Sequence, residues 1–472
     1  MRLFKGRDEF DLTSGGIAWP LFYLSLPIVV TNLLQTAYNL ADTFWLGQHS
    51  TEALAAISFA FPMVFLLIAL AIGISIAGSV LVAQNVGAGD EARAEYVASQ
   101  TMSFAILAAL ALGGVGYFLV EDFVALLGAS PAVLPLAAGY MEVFSLGLVS
   151  VFGFAVFISL MRGYGDTVTP MLVMFGSVVV NIALDPFLIF GWWRFPALGV
   201  EGAAVATVFS RTLALAVGLW IMLRGTRGVQ IHPKQMIPDP AFARRIFEVG
   251  APASVEVTGR ALSVNLLLVI VGLFPTTVVA AYGIGARVFS VIFLPAIAVS
   301  QGVETMTGQN IGAGEPDRAA AANHFAAKAM FAILSAVGVV AFVAAEPVIS
   351  VFTSDPDVIG VGVDFLRYTA LTFGGIGIMR AYTGGFRGAG RTLIAAAVSV
   401  LMLGVIRLPV AWVGAEVVGA TGIWIAFAVS NVAGAVIAYR WFERGTWRGA
   451  DVTGAGPAAP GELGAEKSAA DD

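Results

Sequence analysis

Shifted by 225 residues, the chain lies on top of itself. Pro27 falls on Pro252, Gly47 on Gly272, Arg93-Ala94 on Arg318-Ala319, Glu121 on Glu346 and Pro131 on Pro356. Gln84-Asn85-Val86-Gly87-Ala88-Gly89 falls on Gln309-Asn310-Ile311-Gly312-Ala313-Gly314, and Arg162-Gly163 on Arg387-Gly388. The register is ungapped from residue 27 to residue 165. Five residues gained in the first half then move it to 220, where Gly199-Val200-Glu201-Gly202 meets Gly419-Ala420-Thr421-Gly422. Self-similarity over such a length marks a duplicated structural unit, so the fold of one half constrains the other.

Composition says in what solvent that unit folds. Of 472 residues 58% are hydrophobic and 12% charged, and mean hydropathy is +0.87; soluble domains carry about 25% charge. Apolar windows lie near 18–45, 53–84, 95–120, 131–160, 168–191, 200–223, 247–272, 277–308, 320–345, 357–385, 392–414 and 420–443. Each is long enough for a bilayer core, which takes about 20 helical residues. Six spans per half is an even number, so both halves enter the membrane in the same direction and their symmetry axis runs along its normal. The expectation is an all-α integral membrane protein, with twelve transmembrane helices in two six-helix lobes related by a parallel internal repeat. The N-lobe would cover 18–223 and the C-lobe 247–443, with an N-terminal segment 1–17 and a basic connector 224–246. The segment 444–472, rich in Gly, Ala, Pro and acid, is expected to be a disordered tail. Glu121–Gly128 and Glu346–Thr353 are expected as short pieces at the membrane interface.

Lys and Arg collect on one side. Arg2, Lys5, Arg7, Arg93, Arg162, the run Arg224 to Arg245, Arg318, Arg387, Arg391 and Arg440 to Arg448 fall on it, and the opposite loops carry only Arg194. By the positive-inside rule both termini face the cytoplasm, as in a multi-pass plasma-membrane protein. No apolar h-region with a small-residue cleavage site opens the chain, so no removable signal is expected. The absence of cysteine excludes disulfides and thiol chemistry, and His49, His232 and His324 have no metal-binding spacing. With a net charge of −6, nothing points to nucleic acid.

Polar residues inside the spans carry the chemistry. In the first span Asn32, Gln35, Asn39 and Asp42 recur at three, four and three residues, one face of a helix, with Pro27 as a point of bending. Such a face must meet protein or water, since hydrocarbon offers no hydrogen bonds. A carboxylate at mid-membrane costs about 2.5–3.5 kcal/mol and marks an ion or substrate path by default. In the fifth span Asn181 and Asp185 share a face, and Pro186 is expected to push Asp185 out of helical geometry and free the Ile182 carbonyl. Together these form a set of hard oxygens suited to a proton or a small cation. The repeat places Leu267, Ile406 and Val410 opposite Asp42, Asn181 and Asp185, so only the first half has both acids. In the second half Glu256 and Arg260, four apart, most simply neutralise each other and form a secondary candidate. Glu304 falls near a span end, within reach of water.

The stretch LSLPIVVTNLLQTAYNLADTFWLG, the paired QNVGAG and QNIGAG loops, RGYGDTVTP, NIALDP and GAAVAT resemble the multidrug and toxic compound extrusion (MATE) family, in its prokaryotic DNA-damage-inducible protein F type. The resemblance covers about residues 12 to 445. It implies two lobes forming a V around a central cleft, and export of small organic, often cationic and amphipathic, compounds against inward H⁺ or Na⁺. It carries the family's cation site onto Asp42, Asn181, Asp185 and Thr207, places Tyr38 and Tyr140 on the same cavity with Gln35 and Asn39, and makes Pro27 the bending point of the first helix. The loop GWWRFPAL, 191–198, departs from the pattern and loosens the match at Thr207. No cofactor is expected beyond the coupling ion, and no partner beyond substrate and bilayer; a monomer suffices.

Rival classes leave weaker traces. Gly163-Tyr164-Gly165-Asp166 fits the GxGD pattern of intramembrane aspartyl proteases, yet Asp166 falls in a loop and Arg391 stands opposite it in the repeat. No Gly-Lys pair exists for a nucleotide-binding P-loop. A major facilitator would carry an arginine-rich second loop where this chain has VGAGDEARAEY. A flippase for lipid-linked precursors, built on related lobes, is the nearest transport rival. Twelve spans and two first-lobe acids favour the antiporter.

Overall fold

The computed structural model describes residues 4–449; most of the expected acidic tail, from 450 onward, lies outside the described residues. The described residues form helices and connecting loops, with no β-strand among them. The first half contains α1 (Ala18–His49), α2 (Thr51–Gly87), α3 (Glu91–Leu126), α4 (Leu134–Leu146), α5 (Leu148–Tyr164), α6 (Val168–Phe190) and α7 (Val200–Arg224). The second contains α8 (Pro240–Val271), α9 (Thr276–Gly312), α10 (Pro316–Val343), α11 (Ala345–Ser350), α12 (Pro356–Ala370), α13 (Phe373–Gly388), α14 (Thr392–Val400), α15 (Leu408–Val418) and α16 (Ala420–Glu443). A π-helical turn, Leu401–Arg407, joins α14 to α15.

Nine of these helices, and Thr392–Val418 taken as one, are each long and apolar enough to span a bilayer. An eleventh span is α4 with α5, bent by 56° at Gly147. The twelfth is α12 with α13, whose break at Thr372 lies 225 residues beyond that of the eleventh. It is the least apolar, because it carries Asp364, Arg367 and Arg380. Large side chains such as Phe118, Leu126, Val343 and Val417 point outward, as lipid-facing residues do. The chain is a multi-pass membrane protein, and its described residues are consistent with twelve spans.

Local details bear the duplication out. Gly199 (φ 58°, ψ −127°) and Gly419 (φ 67°, ψ −147°) precede α7 and α16 in a conformation that essentially only glycine adopts. Two expectations fail locally. Glu121–Gly128 is no separate piece, since α3 runs to Leu126. Helix α6 also continues through Pro186 and keeps Asp185 helical. Proline inside a membrane helix removes one amide donor, a loss that neighbouring groups make up. Likewise α1 runs as one helix through Pro27.

The halves meet through α2, which packs on α8 and α9, and through α1, which packs on α9. Their hydrogen bonds gather at the end carrying the duplicated Gln-Asn-x-Gly loops. Gln84 Nε2 donates to the Gly388 carbonyl (3.0 Å), and its counterpart Gln309 Nε2 donates to the carbonyls of Gly163 (3.0 Å) and Tyr164 (3.1 Å). The backbones touch there: a Cβ on Gly87 would lie 1.9 Å from the Gln309 carbonyl oxygen, and one on Gly312 1.8 Å from that of Gln84. The N-terminal segment crosses the same end, the Leu12 carbonyl accepting from Asn310 Nδ2 (3.0 Å). Helix α8 begins at Pro240, earlier than the apolar window, because Asp239 caps it through the Ala241 amide (2.9 Å). The Tyr96 hydroxyl also donates to Asp239 (2.6 Å), and these bonds hold its carboxyl below the ordinary value. The connector is thereby pinned to α3, where Gln100 also bonds the carbonyls of Gln235 and Ile237.

Candidate functional site

Three helices of the first half each contribute two polar residues one turn apart. Tyr38 and Asp42 come from α1, Asn181 and Asp185 from α6, Thr207 and Arg211 from α7. All six are buried, Asn181 and Asp185 completely. The Tyr38 hydroxyl donates to Thr207 Oγ1 (2.7 Å), and the Thr207 hydroxyl donates at long range to Asp42 Oδ2 (3.5 Å). Asn181 Nδ2 donates to Asp185 Oδ1 (3.3 Å), and the carboxyl groups of Asp42 and Asp185 are neighbours within the cluster. Three oxygens remain without a hydrogen-bond partner in the described structure: Asp42 Oδ1, Asp185 Oδ2 and Asn181 Oδ1. Buried oxygens of that kind are costly unless a proton or a cation meets them, so the donor set fits either ion.

The remaining first-half candidates stand around this centre. Tyr140 stacks on Phe144 (6.3 Å between centroids, 11°) beside Tyr38 and the two acids. The polar stripe of α1 divides: Asp42 faces the acid pair, whereas Asn39 is exposed and accepts from Gln35 Nε2 (3.1 Å). Gln35 Oε1 accepts from Arg211 NH2 (2.8 Å), and the Arg211 guanidinium lies over the Tyr38 ring (4.7 Å) and donates to Met174 Sδ (3.1 Å). Arg211 was not singled out from the sequence, although the four-residue spacing that links Asn181 to Asp185 also links Thr207 to Arg211. Pro27 lies about four turns from Asp42 along α1 and makes no part of the cluster.

The second half holds a different arrangement. Glu256 does not pair with Arg260 as expected. It accepts from Arg387 NH1 (3.1 Å) and from the Ser399 hydroxyl (3.0 Å), because α13 brings Arg387 closer than the turn below does. Arg387 also bonds Glu304 Oε2 through Nε (3.0 Å) and Ser300 Oγ through NH2 (2.9 Å). Glu304 is buried rather than near water, since α9 continues two turns past it to Gly312. Arg162, the repeat partner of Arg387, lies 3.9 Å from Glu304. Both arginines are buried near helix ends rather than in the loops. Between the lobes lies a cavity of about 420 Å³, which Gln35, Arg260 and Arg380 line with these ion pairs.

Asp166 is a helix cap. Its carboxylate accepts from the amides of Val168 (3.1 Å) and Thr169 (3.0 Å) and from the Thr169 hydroxyl (2.6 Å). At about 1.5 Å per residue along α6 it sits roughly 28 Å from Asp185, too far to share a proton with it. Among the described residues, no group of His, Cys, Asp and Glu could hold a metal ion.

The MatE family model matches the chain twice, over residues 27–187 and 252–413, two stretches whose starts are 225 residues apart. The chain belongs to the MatE family. Among MATE relatives, the FAD transporter of Shewanella oneidensis is 27% identical over 93% of this chain and 97% of its own length. The probable multidrug resistance protein NorM of Thermotoga maritima is 28% identical over 90% of this chain and 92% of its own. The fold superposes on a variant of the Vibrio cholerae MATE transporter VcmN (TM-score 0.86, 22% identity, 92% of this chain and 98% of that one). It also superposes on a Pyrococcus furiosus MOP superfamily transporter described as having a binding pocket of reverse polarity (TM-score 0.84, 24% identity, 92% and 96%). This MATE chain is therefore a membrane transporter of the multidrug-efflux type. Each of its two family matches begins at the proline of an interlobe helix, Pro27 in α1 and Pro252 in α8.

Proposed function

We propose that the protein exports amphipathic organic compounds by alternating access, driven by H⁺ or Na⁺ moving inward through the first lobe. The observation that carries this reading is the meeting of Asp42 and Asp185 with three unpaired oxygens around them. Two buried carboxylates side by side repel each other, and a proton on one, or a cation between them, removes the repulsion. Two carboxylates around one Na⁺ would leave a buried net charge of −1 unless one of them also carries a proton. The reading therefore leans toward protons.

In the resting state the acids draw polar groups and the Arg211 side chain toward them. Neutralisation by the incoming ion removes that pull, and the Tyr38–Thr207–Asp42 chain of hydrogen bonds loses its anchor. Helix α1 then shifts about Pro27, and Gln35, which joins Arg211 to the interlobe cavity, carries the change to the substrate. One charge crossing 100 mV supplies about 2.3 kcal/mol, which concentrates substrate roughly 50-fold. The charge bias of the loops supports an orientation with both termini in the cytoplasm. In that orientation the end closed by Gln84 and Gln309 is cytoplasmic. The family resemblance favours cationic substrates, whereas the cavity's arginines favour the opposite charge.

The test is efflux from proteoliposomes under a pH gradient without sodium, and under a Na⁺ gradient at equal pH. Efflux driven by the pH gradient, and kept in Asn181→Ala and Thr207→Ala, is expected. Efflux driven by Na⁺ alone and lost in both variants would replace the proton with a sodium cage. No gradient-driven efflux of any compound would overturn the antiport reading.

A further inference from the structure

We propose that the interlobe cavity binds the anionic group of an amphipathic organic anion, a phosphate, carboxylate or sulfonate, between Arg260 and Arg380. The proposal rests on the export reading above and adds the sign of the substrate.

Four arginines (Arg162, Arg260, Arg380, Arg387) and two glutamates (Glu256, Glu304) line the cavity, an excess of two positive charges. The glutamates are already committed. Both oxygens of Glu256 accept from Arg387 NH1 (3.1 and 3.2 Å), and Ser399 adds a third bond. Glu304 accepts from Arg387 and faces Arg162. Arg260 and Arg380 lie within electrostatic reach of each other and of Glu256, half-buried at the cavity wall, but neither guanidinium has a hydrogen-bond partner among the described residues. The Arg380 Nε–H is buried and unsatisfied. Two such guanidinium forks repel each other until an anion lies between them, and their planar donors match phosphate and carboxylate geometry.

The opposite wall suits the rest of such a molecule. Ile28, Ile72, Ile76 and Ile158 of the first lobe offer an apolar surface. The repeat places Gln35 opposite Arg260 and Ala155 opposite Arg380, so the cavity lies on the pseudo-twofold axis, and at these two places the second lobe is basic where the first is neutral. Its volume, about 420 Å³, falls in the range of small-molecule sites, and a site at the repeat interface is accessible in turn to both sides as the lobes rock.

Carboxyfluorescein and rhodamine 123 share a xanthene body and differ in charge, so fluorescence anisotropy with the purified full chain separates charge from shape. Carboxyfluorescein should bind the more tightly. The double variant Arg260→Gln/Arg380→Gln should weaken it at least about tenfold while rhodamine 123 holds or gains, because each lost charged hydrogen bond is worth that much. The variant Arg260→Lys/Arg380→Lys, which keeps the charge, should restore most of the affinity. Tighter binding of rhodamine 123, or unchanged carboxyfluorescein affinity in the Gln variant that still binds rhodamine 123, would overturn the proposal. Competition identifies the source of the anion: displacement by 4-methylumbelliferyl phosphate means a soluble anion, and displacement by phosphatidic acid in micelles means a lipid headgroup. Displacement by neither overturns the site. Equilibrium binding needs no gradient, so dye bound without efflux counts against the antiport reading alone. Efflux of rhodamine 123 without binding of carboxyfluorescein counts against the anion alone.

Discussion

At equivalent places in the repeat, the two lobes carry opposite charge. The first lobe has Asp42, Asp185 and Arg211 around Tyr38 and Thr207, whereas the second has Leu267, Val410 and Asn431 around Ser263 and Phe427. Where the first has Ile182, the second has Arg407. That arginine is buried on neutral partners, Ser430 (2.9 Å), Asn431 (2.8 Å) and the face of Phe427 (4.2 Å). Around the shared cavity the contrast extends further. Thr31, Gln35 and Ala155 of the first lobe answer to Glu256, Arg260 and Arg380 of the second. Duplication supplied helices, breaks and glycine caps to both halves, and the chemistry sits where the copies diverged. Only the first lobe has the buried acid pair, and only the second has Arg260, Arg380 and Arg407 at these places.

The sharpest way to break this comparison is to make the first lobe resemble the second. Asp42→Asn and Asp185→Asn each remove an ionisable carboxyl without changing shape. Either is expected to lower gradient-driven efflux by at least about 100-fold, the scale of a lost charge-dependent step of roughly 3 kcal/mol, with membrane expression unchanged. Asp166→Asn, which keeps a capping oxygen, should leave efflux near wild type. Efflux surviving in both acid variants would remove the coupling role from the first lobe altogether.

The second lobe should answer through stability. Arg387→Ala leaves Glu256 and Glu304 buried without their principal partner, and breaking a buried pair from one side costs about 3–5 kcal/mol. The expected reading is a large fall in the thermal midpoint of the detergent-purified protein. Arg407→Leu, whose partners are neutral, should cost less, since no counter-charge is left behind. Equal losses in the two variants would mean that the Glu256–Arg387–Glu304 cluster is no more than a set of neutral-strength bonds.

How much of this could be read in advance depends on the range of the interactions. The spans, the duplication and the shared face of Asn181 and Asp185 follow from local periodicity or self-comparison, and both operate on adjacent sequence. The place of Thr207 beside Asp42 came only through the family resemblance, because nothing in a span's own pattern says which other span it will touch. Partner choice was least legible. Glu256 has an arginine one turn away, and local spacing favoured it; the actual partner is 131 residues distant. Arg162 and Arg387 looked like loop charges, because a buried helix end and an interfacial loop have the same composition. Pro186 was read by the rule for water, whereas α6 lies in surroundings that repair the lost bond.

The smallest effects belong to a contact that the two lobes make symmetrically. Gln84 and Gln309 each bond the end of the other lobe's helix, across backbones separated only by Gly87 and Gly312. Removing one amide forfeits a net of about 0.5–1.5 kcal/mol. Gln84→Ala and Gln309→Ala should therefore shift the balance of the two access states modestly, by similar amounts, and roughly additively in the double variant. Gly312→Ala acts on the same closure sterically, since its Cβ would meet the Gln84 carbonyl and force the helices apart; overpacking of that kind costs about 1–3 kcal/mol. Cysteines at Ala88 and Ala313, introduced into this cysteine-free chain, report the opening as increased reaction with a thiol reagent applied to that face. An increase confined to Gly312→Ala would mean that close backbone packing holds this end shut and the amides merely decorate it. A matching increase in both glutamine variants would make the duplicated Gln-Asn-x-Gly loop a latch that each lobe fastens on the other.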